Sequence, residues 1–199
     1  MISFSLLSAL TTYYFIMFIT PGPNNAMLTA SGMKFGFTKT LPHLIGIPSG
    51  HIVQIALVSF GLGNLFLKFP HLQFYMKILC FLYLLYLSWT IIGSFSDIKK
   101  ESGRPLKLYE AAAFQFINPK AWTIAITVVS GFFPAEENFL LATAFLTITA
   151  ALVCFPSICV WAIFGNSLRI FIKDQKIKKK IEYILAFLLI MTGIFILIK

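Results

Sequence analysis

The sequence predicts an all-α integral membrane protein: six transmembrane helices forming two inverted three-helix repeats, with helix breaks at a PGPNN and an NPK motif. Three observations carry this expectation. Apolar residues make up 58% of the 199-residue chain and charged ones only 12%, the charges leave long uncharged runs between them, and a polar segment near the midpoint divides those runs into equal sets. Soluble domains are roughly 45–50% apolar and about 25% charged. A globule of this size keeps much of its surface exposed and cannot conceal such an excess. A secreted disulfide scaffold, a disordered chain and a typical soluble enzyme are thereby set aside.

The uncharged runs fall at residues 1–33, 40–67, 78–96, 121–135, 138–168 and 183–198, to be compared with the roughly 20 apolar residues a helix needs to cross the hydrocarbon core. The first run is too long for a signal-peptide core and lacks its basic start and small-residue cleavage site. It is read as retained membrane structure. The last is short, so its span is expected to begin near Ile181, with Lys199 snorkelling. The polar segment from Asp97 to Glu110, with Ser102, Gly103 and Pro105, divides the chain into a first repeat over 1–96, a cytoplasmic linker over 97–110 and a second repeat over 111–199.

Basic residues give the orientation, because short cytoplasmic loops are enriched in Lys and Arg. With both termini outside, the inner loops hold Lys34, Lys39, Lys99, Lys100, Arg104, Lys107, Arg169, Lys173, Lys176, Lys178, Lys179 and Lys180, whereas the outer segments hold Lys68, Lys77 and Lys199. The reverse orientation inverts that bias. The net charge of +9 then reflects loops beside a lipid bilayer with anionic headgroups, and no nucleic-acid partner is expected. Cys80, Cys154 and Cys159 lie in apolar runs without metal-ligand spacing, so packing is their expected role and neither a metal nor a cofactor is implied.

A repeat with an odd number of spans must enter the membrane from opposite sides in its two copies, an arrangement found among secondary transporters. An offset of 98 residues places the run 40–67 on 138–165, and Phe18, Pro21 and Thr29 on Phe116, Pro119 and Thr127. The coinciding prolines mark the most informative local chemistry. In Thr20-Pro21-Gly22-Pro23-Asn24-Asn25 two prolines remove backbone donors and a glycine weakens the helix between them. Thr20-Pro21 and Asn118-Pro119 each read as an N-cap followed by proline at the first helical position. Non-helical backbone at membrane depth is tolerated only where protein or a wet cavity satisfies it, and a helix start there offers free N–H groups and a positive dipole end to an anionic group. A plain proline kink is the alternative for either site taken alone. Adjacent carboxamides and the nearby Lys120 favour a substrate site, since unpartnered polar groups and charges are costly in the membrane; for Lys120, snorkelling to the inner surface is the competing role.

At these residues the chain resembles the LysE/RhtB family of bacterial amino-acid exporters. The resemblance covers nearly the whole chain and rests on TPGPNNAMLTASG at Thr20 to Gly32, KFGF and LPHLIGIPSG through Gly50, and FQFINPKAW at Phe114 to Trp122. It implies a protein of the bacterial cytoplasmic membrane that exports a small neutral or polar amino acid or derivative, such as threonine, homoserine, cysteine or O-acetylserine, with the proton gradient as driving force. Many family members carry an acidic residue where this chain has Gly46-Ile47-Pro48-Ser49-Gly50-His51. With no Asp or Glu in the uncharged runs, the coupling candidates are His51 and His43, with Lys120 a less suitable third; a packing role competes at each histidine.

The expected substrate site comprises Thr20, Pro21, Gly22, Pro23, Asn24, Asn25, Asn118, Pro119 and Lys120. Gly32-x3-Gly36 and Gly46-x3-Gly50 fit close helix packing, inside the chain or in a homodimer. Tyr83, Tyr86, Trp89, Trp122 and Trp161 are expected as interfacial anchors or core filler, with a pathway-lining aromatic among them as the alternative. A lipid-modifying enzyme competes poorly because the spans hold no acid/base pair or metal cluster, and a passive channel would differ in being unable to accumulate solute.

Overall fold

A computed structural model describes residues 2–63, 68–92, 104–134, 137–172 and 174–198. Lys99, Lys100, Lys173, Lys199 and most of the expected linker lie outside the described residues. Among those described the regular structure is all helical. Helix α1 (Phe4–Ile19) meets α2 (Pro23–Phe35) at 56°. Helix α3 (Phe37–Leu57) continues into a π-helical turn, Val58–Leu62, and α4 spans Pro70–Ile91. Helix α5 (Leu108–Phe114) tightens into a 3-10 turn, Gln115–Ile117, before α6 (Pro119–Phe132). Helices α7 (Phe139–Phe171) and α8 (Gln175–Ile198) complete the fold.

Four helices, α3, α4, α7 and α8, are long and apolar enough to cross a membrane, and the bent pair α1–α2 makes a fifth candidate span. The chain is therefore a multi-pass helical membrane protein. Helix α6, with 14 residues, reaches only about 21 Å at the α-helical rise, short of the ~30 Å core. Helix α8 begins at Gln175, ahead of the expected start near Ile181. Lysine is a good helix former, so Lys176 to Lys180 end the apolar run without ending the helix.

Both α1 and α2 pack on α7, both α5 and α6 pack on α3, α3 packs on α7, and α4 packs on α8. Lipid tails remove most of the hydrophobic incentive for helices to associate, so close van der Waals approach must supply it. Glycines permit that approach: Gly32 faces the backbone of Ala162 and Gly165 that of Thr29 between α2 and α7, while Gly46 and Gly50 face the backbones of Leu108 and Ala112 between α3 and α5. Gly36 instead forms the hinge between α2 and α3 at φ +86°, a conformation that suits glycine. Phe37 N–H donates to Asn166 Oδ1 at 3.2 Å, fixing the start of α3 to α7. Leu140, Leu152, Phe187 and Trp89 point outward.

Candidate functional site

The two proline junctions, Thr20 to Gly22 and Gln115 to Pro119, meet in the interior of the bundle around a cavity of about 30 Å³. That volume holds about two waters. Its walls include Gly22, Asn24, Asn25, His51, Gln115 and Lys120.

A helix ending inside a membrane leaves carbonyls that need donors, and at the α1 junction each carbonyl from Ile16 to Pro21 has one. Thr20 N–H donates to Ile16 O at 3.2 Å and Thr20 Oγ1 to Met17 O at 3.0 Å. Asn25 Nδ2 donates to Phe18 O at 2.9 Å and Thr20 O at 2.7 Å. Trp161 Nε1, from α7, donates to Ile19 O at 3.1 Å. Lys120 Nζ, from α6, donates to Thr20 O at 3.0 Å, Thr20 Oγ1 at 2.9 Å and Pro21 O at 3.4 Å. The lysine therefore reaches across to the other junction, and its ammonium meets the negative end of α1. Gly22 makes room for it: a Cβ there would lie 3.1 Å from Lys120 Cδ and 3.2 Å from Nζ. Gly22 itself is fully extended, at φ 179°, so proximity and not backbone conformation constrains this position.

The second junction is satisfied in the same manner. Asn118 N–H is shared between Phe114 O and Gln115 O, each at 3.1 Å, and Trp122 Nε1 donates to Phe116 O at 2.9 Å. Asn118 is the N-cap of α6, its Oδ1 accepting from Lys120 N–H at 3.1 Å, and Pro119 opens the helix. Helix α2 differs, because its N-cap is Gly22 and supplies no side-chain acceptor. Its first residues, Pro23 to Asn25, line the cavity at a helix start of positive potential.

Polar side chains bind the junctions together. Asn24 Nδ2 donates to Gln115 Oε1 at 2.9 Å while Gln115 Nε2 donates to Asn24 Oδ1 at 3.2 Å. Gln54 Nε2 donates to the Gln115 carbonyl at 2.8 Å, which turns Gln54 Oε1 toward His51 Nδ1, 3.2 Å away. An amide oxygen can only accept, so the neutral imidazole carries its proton on Nδ1. His51 Nε2 is buried without a partner and presents a lone pair. Phe18 meets the imidazole edge-on at 5.4 Å.

All nine expected substrate-site residues thus cluster at the two junctions, and His51 lines the same cavity. His43 does not: it is buried two turns away on α3, with neither ring nitrogen hydrogen-bonded, and borders a separate cavity. The sequence does not single out Gln115 or Gln54 as site residues, and it does not place Trp161 at a junction. The signal for Gln115 was its place in FQFINPK; Gln54 and Trp161 carried none beyond a polar group in an apolar run. Trp122 and Trp161, read as anchors or filler, instead donate to junction carbonyls. Glu182 also changes the inventory, since it is fully buried on α8 although it borders the last uncharged run. Buried carboxylate is therefore present in the bundle, away from the junction cavity.

A bundle of apolar helices in which two interrupted segments meet at a small cavity is the build of a polytopic membrane protein. Residues 15–199 match the LysE type translocator family, and the chain belongs to that family. It is similar to the cysteine/O-acetylserine efflux protein of Escherichia coli K12, at 27% identity over 195 residues and 96% of each chain. It is similar also to the protein of that name from Salmonella typhi, at 30% identity over 165 residues, covering 81% of this chain and 83% of the relative. No solved structure matches. The family and these relatives make the chain a transporter that exports amino acids across the bacterial inner membrane, and not an enzyme.

Proposed function

We propose that the chain exports cysteine, O-acetylserine or a similarly small neutral amino acid by alternating access, in exchange for protons. The observation that carries this reading is the reciprocal pair between Asn24 and Gln115, which closes the cavity between the two junctions. Each carboxamide offers one donor and one acceptor, the functions an amino-acid head group needs, so substrate replaces the pair. The uncapped start of α2 at Pro21 to Asn24 receives the carboxylate, while Asn118 and Pro119 hold the opposing helix start and Lys120 holds the end of α1.

In this reading the bent pair α1–α2 and the pair α5–α6 are corresponding broken spans, giving six spans in two inverted repeats, 1–96 and 111–199, joined by a cytoplasmic linker at 97–110, with both termini outside. The packing pattern supports it. Exchanging the halves turns α1 and α2 on α7 into α5 and α6 on α3, and leaves the α3–α7 and α4–α8 pairs unchanged. His51 carries the coupling proton on Nε2, the atom that lacks a partner inside the cavity.

The test is counterflow in proteoliposomes, with labelled O-acetylserine, cysteine, threonine and homoserine at two imposed pH gradients. Saturable uptake that responds to the gradient is expected. Absence of uptake for every amino acid overturns the reading, and uptake indifferent to the gradient removes the proton.

A further inference from the structure

We propose that a second cavity, between α2, α3 and α4, is a binding vestibule in which the exported amino acid waits before it reaches the junctions. This inference rests on the exporter reading above. The cavity measures about 660 Å³, within the ~300–1,000 Å³ range of small-molecule sites and far larger than the junction cavity. Lys34 and Arg104 stand in its wall, His43 faces it from α3, and Tyr83, Tyr86 and Trp89 form its aromatic side on α4.

Two features distinguish it from a gap between helices. His43 is 2% exposed and neither of its ring nitrogens has a hydrogen-bond partner, although a buried polar group is ordinarily satisfied. Both nitrogens are covered as the ring stands, and a turn of the imidazole in the cavity wall brings one of them to an incoming ammonium or carboxylate group as donor or acceptor. Helical spacing then connects this cavity to the first. On α2, Asn24 lines the junction cavity while Met27, Ser31 and Lys34 line the second, and these four positions share one face of a 3.6-residue helix. On α3, His51 and Ile47 line the junction cavity and His43 the second, again at four-residue spacing. Met27 at 2% exposure, in the wall of the second cavity, and Ile47 at 1%, in the wall of the first, are the buried apolar side chains that must move aside for passage from vestibule to junction.

The occupant's chemistry follows from the walls. Lys34, which also interacts electrostatically with Glu182 of α8, supplies positive charge that an incoming carboxylate would share, the imidazole of His43 an exchangeable hydrogen-bond site, and the aromatic side an apolar surface for a short side chain. A small zwitterion satisfies all three. A lipid headgroup offers the same anionic chemistry, so the test must separate the two sources.

Thr90 lines the vestibule from α4, its hydroxyl committed to Leu87 O of its own helix, and Thr90→Cys places a thiol in the wall. Full-length protein with its native cysteines serves as background, because Cys80 and Cys154 are fully buried and the unsubstituted chain reports any reaction at Cys159. Vesicles exposing the Lys34 face are treated with a membrane-impermeant methanethiosulfonate, with O-acetylserine as the probe since it carries no thiol. Labelling at position 90 is expected, slowed about tenfold by O-acetylserine at about ten times its half-saturating concentration, and labelled protein should lose O-acetylserine counterflow. Ala30→Cys, on the facing wall, is the second variant and should behave alike. The vestibule is overturned if both thiols react at a rate O-acetylserine leaves unchanged, or if only a lipid-soluble maleimide reaches them. Counterflow by the unlabelled wild-type chain reports separately on the exporter reading, so either can fail without the other.

Discussion

Asn24 on α2 and Gln115 at the end of α5 exchange two carboxamide hydrogen bonds, at 2.9 and 3.2 Å, across the meeting point of two helix junctions that lie 91 residues apart in the chain. In the proposed transport cycle the pair is a lock made of groups that substrate replaces, each partner recovering its bonds on an amino-acid head group.

Asn24→Ala leaves the buried Gln115 Oε1 without its donor, although Gln115 Nε2 keeps its bond to Ala111 O at 2.9 Å, at a cost of about 1–3 kcal/mol; Gln115→Ala leaves Asn24, which is half-buried, without its partner. Asn24→Ala and Gln115→Ala should each reduce O-acetylserine counterflow at least about tenfold, the equivalent of ~1.4 kcal/mol. The double substitution should fall short of the combined effect, since contacting residues couple by about 0.5–3 kcal/mol. Counterflow rates for the four proteins at equal reconstituted amount test this. Unchanged transport by Asn24→Ala counts against placing substrate here.

Lys120 and Gly22 form a second coupled pair. Lys120→Met keeps an unbranched side chain one atom shorter and removes three donated bonds, leaving Pro21 O without its donor. Charged hydrogen bonds contribute about 1.5–3 kcal/mol each at most sites, so the melting temperature in detergent should drop and transport fall at least about tenfold. Gly22→Ala strains no backbone angle but brings a methyl group within 3.1 Å of the lysine chain. It should therefore reproduce a milder form of the lysine defect. In the Lys120→Met background, where the less hindered thioether chain makes no bond to hold it in place, Gly22→Ala should add little. Full additivity in thermal melts would show that the glycine serves something other than the lysine.

The apolar excess, the long charge-free runs and the family were legible in the sequence because composition and local motifs encode them. The Thr20 to Asn25 cluster was legible for the same reason, as prolines and carboxamides in an apolar run are a local conflict that a membrane must resolve. Partner choice was not. Lys120 could be placed beside Pro119 but not on Thr20, 100 residues away, and Trp161 reaches Ile19 over 142 residues. Such pairings depend on helix rotation and crossing, which hydropathy leaves undetermined. His43 and His51 looked equivalent in sequence and separate only in space, one beside the junctions and the other in the vestibule wall. Glu182 lies just inside the span expected to begin near Ile181, but a charge bordering an uncharged run carries no sign of whether it faces lipid headgroups or the bundle; the helix that begins at Gln175 turns it inward, where it is fully buried.

Asn25 illustrates how little room the junction leaves for change. Its Nδ2 serves the carbonyls of both Phe18 and Thr20, and the residue is 3% exposed. Asn25→Asp preserves shape but replaces a double donor with an acceptor facing two carbonyl oxygens. The Lys120 ammonium on the same Thr20 carbonyl offsets part of the new charge, but the lost bonds and the carboxylate facing two carbonyl oxygens still cost about 1–3 kcal/mol per unsatisfied group. The expected result is poor recovery of monodisperse protein and a large loss of thermal stability, whereas Asn25→Gln, which retains the donor on a longer arm, should be less damaging. Equal stability of Asn25→Asp and the parent chain would mean that these carbonyls find other donors.

The Arg104–Glu110 pair separates stability from transport in its pH response. Both Arg104 nitrogens hold the Glu110 carboxylate at 2.6 Å, and Lys107 N–H adds a third donor at 2.8 Å. The arginine contact first, and then the backbone bond, lower the carboxyl from 4.5 to about 2. For a group depressed in the folded state, the stabilisation is present above its unfolded value and is lost as pH falls through the folded one, here from about 4.5 down to about 2. Between pH 5 and 8 the pair is fully ionised and its contribution constant. The site is largely solvent-exposed, so that contribution is small. Glu110→Gln should therefore lower thermal stability slightly and equally at pH 5.5 and pH 8, and leave the pH profile of counterflow unaltered. His51→Gln, by contrast, removes the lone pair at Nε2 and should flatten that profile while the protein remains folded. If Glu110→Gln flattens it and His51→Gln does not, the coupling proton is carried at the linker end of the bundle and not at the junction cavity.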